Sequence, residues 1–193
     1  YSRSLAIDEE LGDKRGMGYS LNNIGIVHKE KGDYEKALDY YGRSLTIQEE
    51  IGDKQEIGCN LNNIGNVYAD KGDCEKALIY YDRSHAKAEE IGDKRVMGIS
   101  LNNIGTVYNA IGDYNKALDY GKRALIIKEE LGNKLEIGNC LSNMGVTYNC
   151  KGDYDKALDY CKRSLVIQKE VGDKQGIGRT FNFIGVIYNH TGD

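Results

Sequence analysis

The side chains able to do acid–base, nucleophilic or metal chemistry are few and scattered. Histidines stand at His28, His85 and His190, and cysteines at Cys59, Cys74, Cys140, Cys150 and Cys161. No cysteines are spaced as CxxC or CxxxxC, so neither a zinc site nor a disulfide framework is expected. Reduced thiols fit a cytoplasmic location. No nucleophile, base and orienting acid fall into a triad order. Gly16-Met17-Gly18 does not continue as GxGxxG, and no GxxxxGK[ST] loop occurs. Acidic pairs such as Glu49-Glu50 lie on a charged helix face, without the alternating spacing of a calcium loop. No enzyme and no cofactor are therefore expected. What does recur is asparagine: Asn22-Asn23, Asn62-Asn63, Asn102-Asn103, Asn143 and Asn182. An amide carries donor and acceptor together, the chemistry that holds a peptide backbone whatever its side chains.

Such a ladder needs regular elements beneath it, and the sequence repeats to supply them. Leu-Asn-Asn-Ile-Gly begins at Leu21, Leu61 and Leu101, and Gly-Asp recurs at 32, 72, 112, 152 and 192, a period of 40 without insertion. Within one period Ile57, Leu61, Ile64 and Tyr68 line one face of a helix A, about 54–71. Ala77, Leu78, Tyr81, Ser84 and Ile91 line a helix B, about 74–91. Gly72 suits the left-handed residue past a helix end, and Asp73 the N-cap of the next. Gly52-Asp53 does the same before helix A, where Glu56 offers a capping box.

The chain has 193 residues, 29% of them charged, with net charge −4 and no proline. That balance lacks the basic excess that nucleic acid or an anionic membrane selects. Apolar runs of a few residues cannot span a bilayer. Glycines inside helix A, such as Gly25, Gly65 and Gly105, each cost about 0.5–1 kcal/mol relative to alanine. Their recurrence predicts close approach of a neighbouring helix backbone.

In the third period these residues read Leu101, Ile104-Gly105, Tyr108, Gly112-Asp113-Tyr114, Ala117 and Ala124, with Gly121 where an aromatic residue belongs. The pattern resembles the tetratricopeptide repeat (TPR), lengthened along helix B. The longer unit is similar to repeats of spindle-orientation adaptors, kinesin light chains and bacterial signalling proteins. The resemblance implies an all-α, right-handed superhelical solenoid of antiparallel helix pairs, with A helices lining a concave peptide-binding groove. One solenoid is expected over 1–193, of about ten helices. It comprises a partial B helix (1–11), helix pairs at 14–51, 54–91, 94–131 and 134–171, and an unpaired A helix at 174–190. The register reads as a piece of a longer array. The apolar face of its last helix (Ile177, Phe181, Ile184 and Tyr188) would invite head-to-tail self-association.

By position in the resembled family, the asparagines face the groove or the seam between A helices. The first of each doublet is expected to meet ligand and the second to bond across helices. The expected peptide-binding set is Asn22, Asn62, Asn66, Asn102, Thr106, Asn109, Asn149, Arg179 and Asn182, with Tyr19 and Lys29 nearby. So few cations argue against a clamp for acidic C-termini. On helix B, Asp39, Asp119 and Asp159 stand four before Arg43, Arg123 and Arg163, a spacing for surface ion pairs or an anionic docking strip. His85 and Lys87 replace apolar residues, marking either a weak repeat or a partner site. The expected function is a non-catalytic scaffold for an extended protein segment. The alternative is a sensory or oligomerising region of a larger signalling protein with a kinase, cyclase or regulator output.

Overall fold

Each turn between helices is made by the same few atoms. Gly52 and Gly72 adopt φ of 72° and 77°, which glycine enters without a Cβ penalty. The aspartate that follows accepts from the first helical turn, as where Asp53 Oδ1 takes the Glu56 N–H at 3.3 Å and Asp73 Oδ1 the Lys76 N–H at 3.1 Å. The expected capping box at Glu56 is not completed, because the Asp53 N–H already donates to the Gln48 carbonyl at 3.0 Å. Asp33 makes no such cap, and its carboxylate lies 3.2 Å from His28 Nδ1 instead.

The computed structural model describes residues 1–191, and side chains through His190. The Gly-Asp pair at 192–193 lies outside the described residues. The described elements are α1 (Ser2–Leu11), α2 (Lys14–Glu30), α3 (Tyr34–Ile51), α4 (Lys54–Asp70) and α5 (Cys74–Ile91). They continue as α6 (Lys94–Ala110), α7 (Tyr114–Glu130), α8 (Lys134–Lys151), α9 (Tyr154–Val171) and α10 (Lys174–Thr191). Even-numbered helices are the A helices of the repeat. Among the described residues none forms a strand, and no helix is long and apolar enough to cross a membrane.

The chain divides into two compact units, Tyr1–Ser100 and Leu101–Asp193. The first has a core around Ala37, Tyr41, Ile64 and Val67. The second packs Leu101, Leu118, Leu141, Met144, Tyr148 and Ile187 together. Burial of such side chains stabilises by about 1.5–3 kcal/mol each. In three helix pairs a serine of helix B bonds to a glycine of helix A, and in the pair at 94–131 Ala124 stands in its place. Ser44 Oγ donates to the Gly18 carbonyl at 2.7 Å, Ser84 to Gly58 at 2.8 Å and Ser164 to Gly138 at 2.7 Å.

The second glycine of helix A has a different reason from the one expected. A Cβ at Gly25 or Gly65 would meet not backbone but the ring of Tyr41 or Tyr81, at 2.6 Å in each case. Only where that tyrosine is missing is backbone nearest, as at Gly105, where the Ala117 carbonyl oxygen would be 3.1 Å away. On α10 Ile187 is 1% exposed and Thr180 fully buried, and neither belongs to the apolar face expected from spacing. Ile177 and Ile184 are half-buried, while Phe181 and Tyr188 are exposed.

Candidate functional site

Within the second unit, helices α6, α7 and α8 enclose a cavity of about 130 Å³. Its polar wall is Asn102, Thr106, Asn109, Asn143 and Thr147, and its apolar floor is Gly105, Ala117, Gly121, Met144 and Phe183. Three of the expected ligand residues, Asn102, Thr106 and Asn109, thus converge, because they lie three or four apart on one face of α6. Thr106 Oγ1 donates to the Asn102 carbonyl at 3.0 Å. Asn109 Oδ1 is buried without a hydrogen-bond partner. A second hollow of about 270 Å³ adjoins it, sharing Asn143 and Phe183 and adding Arg179, Asn139, Ser142 and Gln168. Arg179 thus brings a cation to the adjoining hollow.

The remaining expected residues are placed otherwise. Asn63 Nδ2 donates to Asn22 Oδ1 at 3.0 Å, and Asn143 Nδ2 to Asn102 Oδ1 at 3.4 Å. The second asparagine of one repeat thus bonds to the first of the repeat before it. In these two pairs the second member donates and the first accepts, so Asn22 and Asn102 carry a bond between A helices as well as Asn63 and Asn143. Asn62 is buried. Asn66 Oδ1 accepts the Tyr81 hydroxyl at 2.8 Å. Asn149 Oδ1 lies 3.1 Å from His190 Nδ1. Asn182 is exposed on α10, Tyr19 is exposed on α2, and Lys29 pairs with Asp70 at 2.9 Å.

The cavity residues that the sequence did not single out are Cys140, Met144, Thr147 and Phe183. One signal pointed to them: Gly121 stands where Tyr41 and Tyr81 stand in the first two full repeats. The cavity thiol is inert, since burial pushes Cys140 up to about 11 and its Sγ sits 3.3 Å from the Gly121 carbonyl. Among the described residues no cluster of histidine, cysteine and carboxylate groups could hold a metal.

A tetratricopeptide repeat model matches residues 1–50, 56–130 and 136–193. The chain belongs to the tetratricopeptide repeat family. It is 46% identical over 41 residues to the photosystem I assembly protein Ycf3 of Acaryochloris marina, a match covering 21% of this chain and 23% of that protein. The match thus spans under a quarter of that relative's length. Among solved structures it is similar to BtubC from P. vanneervenii, with a TM-score of 0.87 and 21% identity over all of this chain and 82% of that one. It is also similar to a Rap protein complexed with Competence and Sporulation Factor, with a TM-score of 0.80 and 20% identity over 91% of this chain and 49% of that one. These likenesses in structure establish the fold.

Between the paired helices of these TPRs runs a pattern not expected from spacing. Tyr68 stacks on Tyr80, Tyr108 on Tyr120 and Tyr148 on Tyr160, with centroids 5.2–5.5 Å apart. Arg43, Arg83, Arg123 and Arg163 lie over Tyr40, Tyr80, Tyr120 and Tyr160 at 5.0–5.6 Å. These arginines therefore form a cation–π series first, and of the expected i, i+4 pairs Arg163 lies 3.7 Å from Asp159. Glutamates late in helix B instead tie the two helices of one pair together: Lys14 meets Glu50 at 2.9 Å, Lys54 meets Glu90 at 2.7 Å and Lys134 meets Glu170 at 2.9 Å. Lys87 also pairs with Glu90 at 2.8 Å, and hydrogen bonds from Lys54 and Lys87 hold that carboxyl down at about 2. His85 lies 3.4 Å from Ser100 Oγ. Both polar intrusions of α5 have partners within the first unit.

Proposed function

We propose that this chain is a non-catalytic, cytoplasmic interaction module that holds an extended segment of a protein partner along its A helices. The observation that carries this reading is the cavity of the second unit, where Asn102, Thr106 and Asn109 line one opening with Asn143. Amides and a hydroxyl there offer donors and acceptors to a peptide backbone, while Met144 and Phe183 offer apolar contact. Arg179 next to it favours a segment with one acidic group rather than an acidic C-terminus held by many cations. The complexed Rap protein is a fold neighbour consistent with this use. The exposed apolar residues Leu11 on α1 and Phe181 on α10 support a weaker self-association, which light scattering across a concentration series would register as mass growing with concentration.

The test is a peptide-display selection on the whole chain beside a variant with Asn102, Thr106 and Asn109 changed to alanine. Peptides enriched on the parent and lost on the variant support the reading. Equal enrichment on both moves the site elsewhere. No enrichment on either removes the scaffold reading in favour of a sensory or oligomerising region.

A further inference from the structure

The cavity of the second unit is the outline of a missing side chain. In the first unit Tyr41 and Tyr81 reach from helix B and lay their rings against Gly25 and Gly65 of helix A. Both rings are almost wholly buried, and the Tyr81 hydroxyl finds Asn66 Oδ1 at 2.8 Å. One period on from Tyr81 stands Gly121, and one period on from Gly65 stands Gly105. Both glycines line the cavity. Its volume of about 130 Å³ approaches that of an engineered cavity, about 150 Å³, that accepts benzene. Asn66 is replaced by Thr106, also in the wall, and Asn109 adds a buried carbonyl oxygen without a partner. A buried acceptor left unpaired is costly, and a hydroxyl donor entering beside it removes that cost. Met144 on the floor adds a thioether, which packs well against an aromatic ring.

We propose that this cavity receives a tyrosine side chain from the bound segment, its phenol donating to Asn109 Oδ1. The partner would supply from outside the ring that Tyr41 and Tyr81 supply from within. The inference deepens the reading of the A-helix face as a peptide site and adds a specificity to it: an extended segment with a tyrosine at one position.

The test uses the whole chain and p-cresol, the tyrosine side chain as a free molecule, followed by the Met144 methyl resonance. Saturable shifts of that methyl are expected in the parent, with toluene binding about tenfold more weakly for want of the hydroxyl. Gly121→Tyr should fill the cavity and abolish the shifts. Its Cβ would come within 3.2 Å of Met144 Cγ, the flexible side chain that must swing aside. Absence of saturable shifts in the parent, or equal shifts in Gly121→Tyr, overturns the proposal. Should Gly121→Tyr not fold, Asn109→Leu decides: loss of the preference for p-cresol over toluene supports the proposal, and an unchanged preference overturns it. Display selection separates this from the broader reading. Peptides selected without any enrichment of tyrosine overturn the tyrosine site and leave the peptide site standing. Tyrosine enriched on the parent and not on Gly121→Tyr supports both.

Discussion

The two units are built from one repeated sentence of residues, yet they treat the space beside the second glycine of helix A in opposite ways. In Tyr1–Ser100 the space is filled by Tyr41 and Tyr81, buried against Gly25 and Gly65. In Leu101–Asp193 the matching residues are Gly121 and Cys161. Cys161 Sγ would lie 2.7 Å from a Cβ at Gly145, so a small atom still closes that seam. At Gly121 it is the Met144 side chain of α8 that approaches, its Cγ 3.2 Å from where a Cβ would stand, and a cavity lined by amides remains beside it. The scaffold keeps its helix pairs and caps with or without the ring. At Gly121 the omission leaves space for a ligand without loss of the fold.

The largest expected effect breaks the filled side of this comparison. Tyr81→Ala and Tyr41→Ala should each cost about 3–5 kcal/mol in urea unfolding, as large aromatic truncations in packed cores do. A cost below about 1 kcal/mol would mean the rings contribute little packing and that the cavity at Gly121 is not their counterpart. Next come the glycines. Gly65→Ala should cost about 1–3 kcal/mol by forcing its Cβ into the Tyr81 ring. Gly185→Ala faces open space and should instead stabilise by about 0.5–1 kcal/mol. Equal signs for the two would show that helix propensity, and not the ring, governs these positions.

A finer test divides the two tyrosines. The Tyr81 hydroxyl donates to Asn66, while the Tyr41 hydroxyl is buried without a partner. Tyr81→Phe should therefore cost about 1 kcal/mol, and Tyr41→Phe should be neutral or slightly stabilising. Thermal melts of the two variants side by side decide it.

The smallest effect is in alkaline solution. Burial raises the Cys161 thiol from 9.0 to about 11 and the Tyr41 phenol from 10.0 to about 12. Both are neutral when folded at lower pH, and the unfolded forms ionise first. The stability each neutral group retains is thus fully present below its ordinary value and lost as pH rises through the folded one. Unfolding free energy should fall between about pH 9 and 11 in the parent and fall less in Cys161→Ala. The further fall toward pH 12 should be reduced in Tyr41→Phe. Superimposable pH profiles for parent and Cys161→Ala would show that this thiol does not ionise on unfolding in that range.

Much of the fold was legible because it depends on residues near one another in sequence. The spacing of Ile57, Leu61, Ile64 and Tyr68, the turn glycines and the capping aspartates are local signals, and the helices follow them. The candidate site was legible in part. Asn102, Thr106 and Asn109 sit within about two turns of α6 on one face, so their convergence needs only the helical period. The partners of Asn22, Asn66 and Arg43 were not legible. Asn63, Tyr81 and Tyr40 compete for them with solvent and with nearer charges, and only the packed geometry settles that competition.

The sequence by itself determined the repeat, its length, the helix boundaries and the absence of a ring at Gly121, because each is written in residue identity and short-range spacing. The tertiary structure decided what that absence becomes. Whether a missing side chain collapses or persists depends on whether neighbouring helices can close over it. Gly105, Gly121 and Met144 come together from three helices to leave it open, with Asn109 Oδ1 unpaired beside it. No local rule reaches that far along the chain.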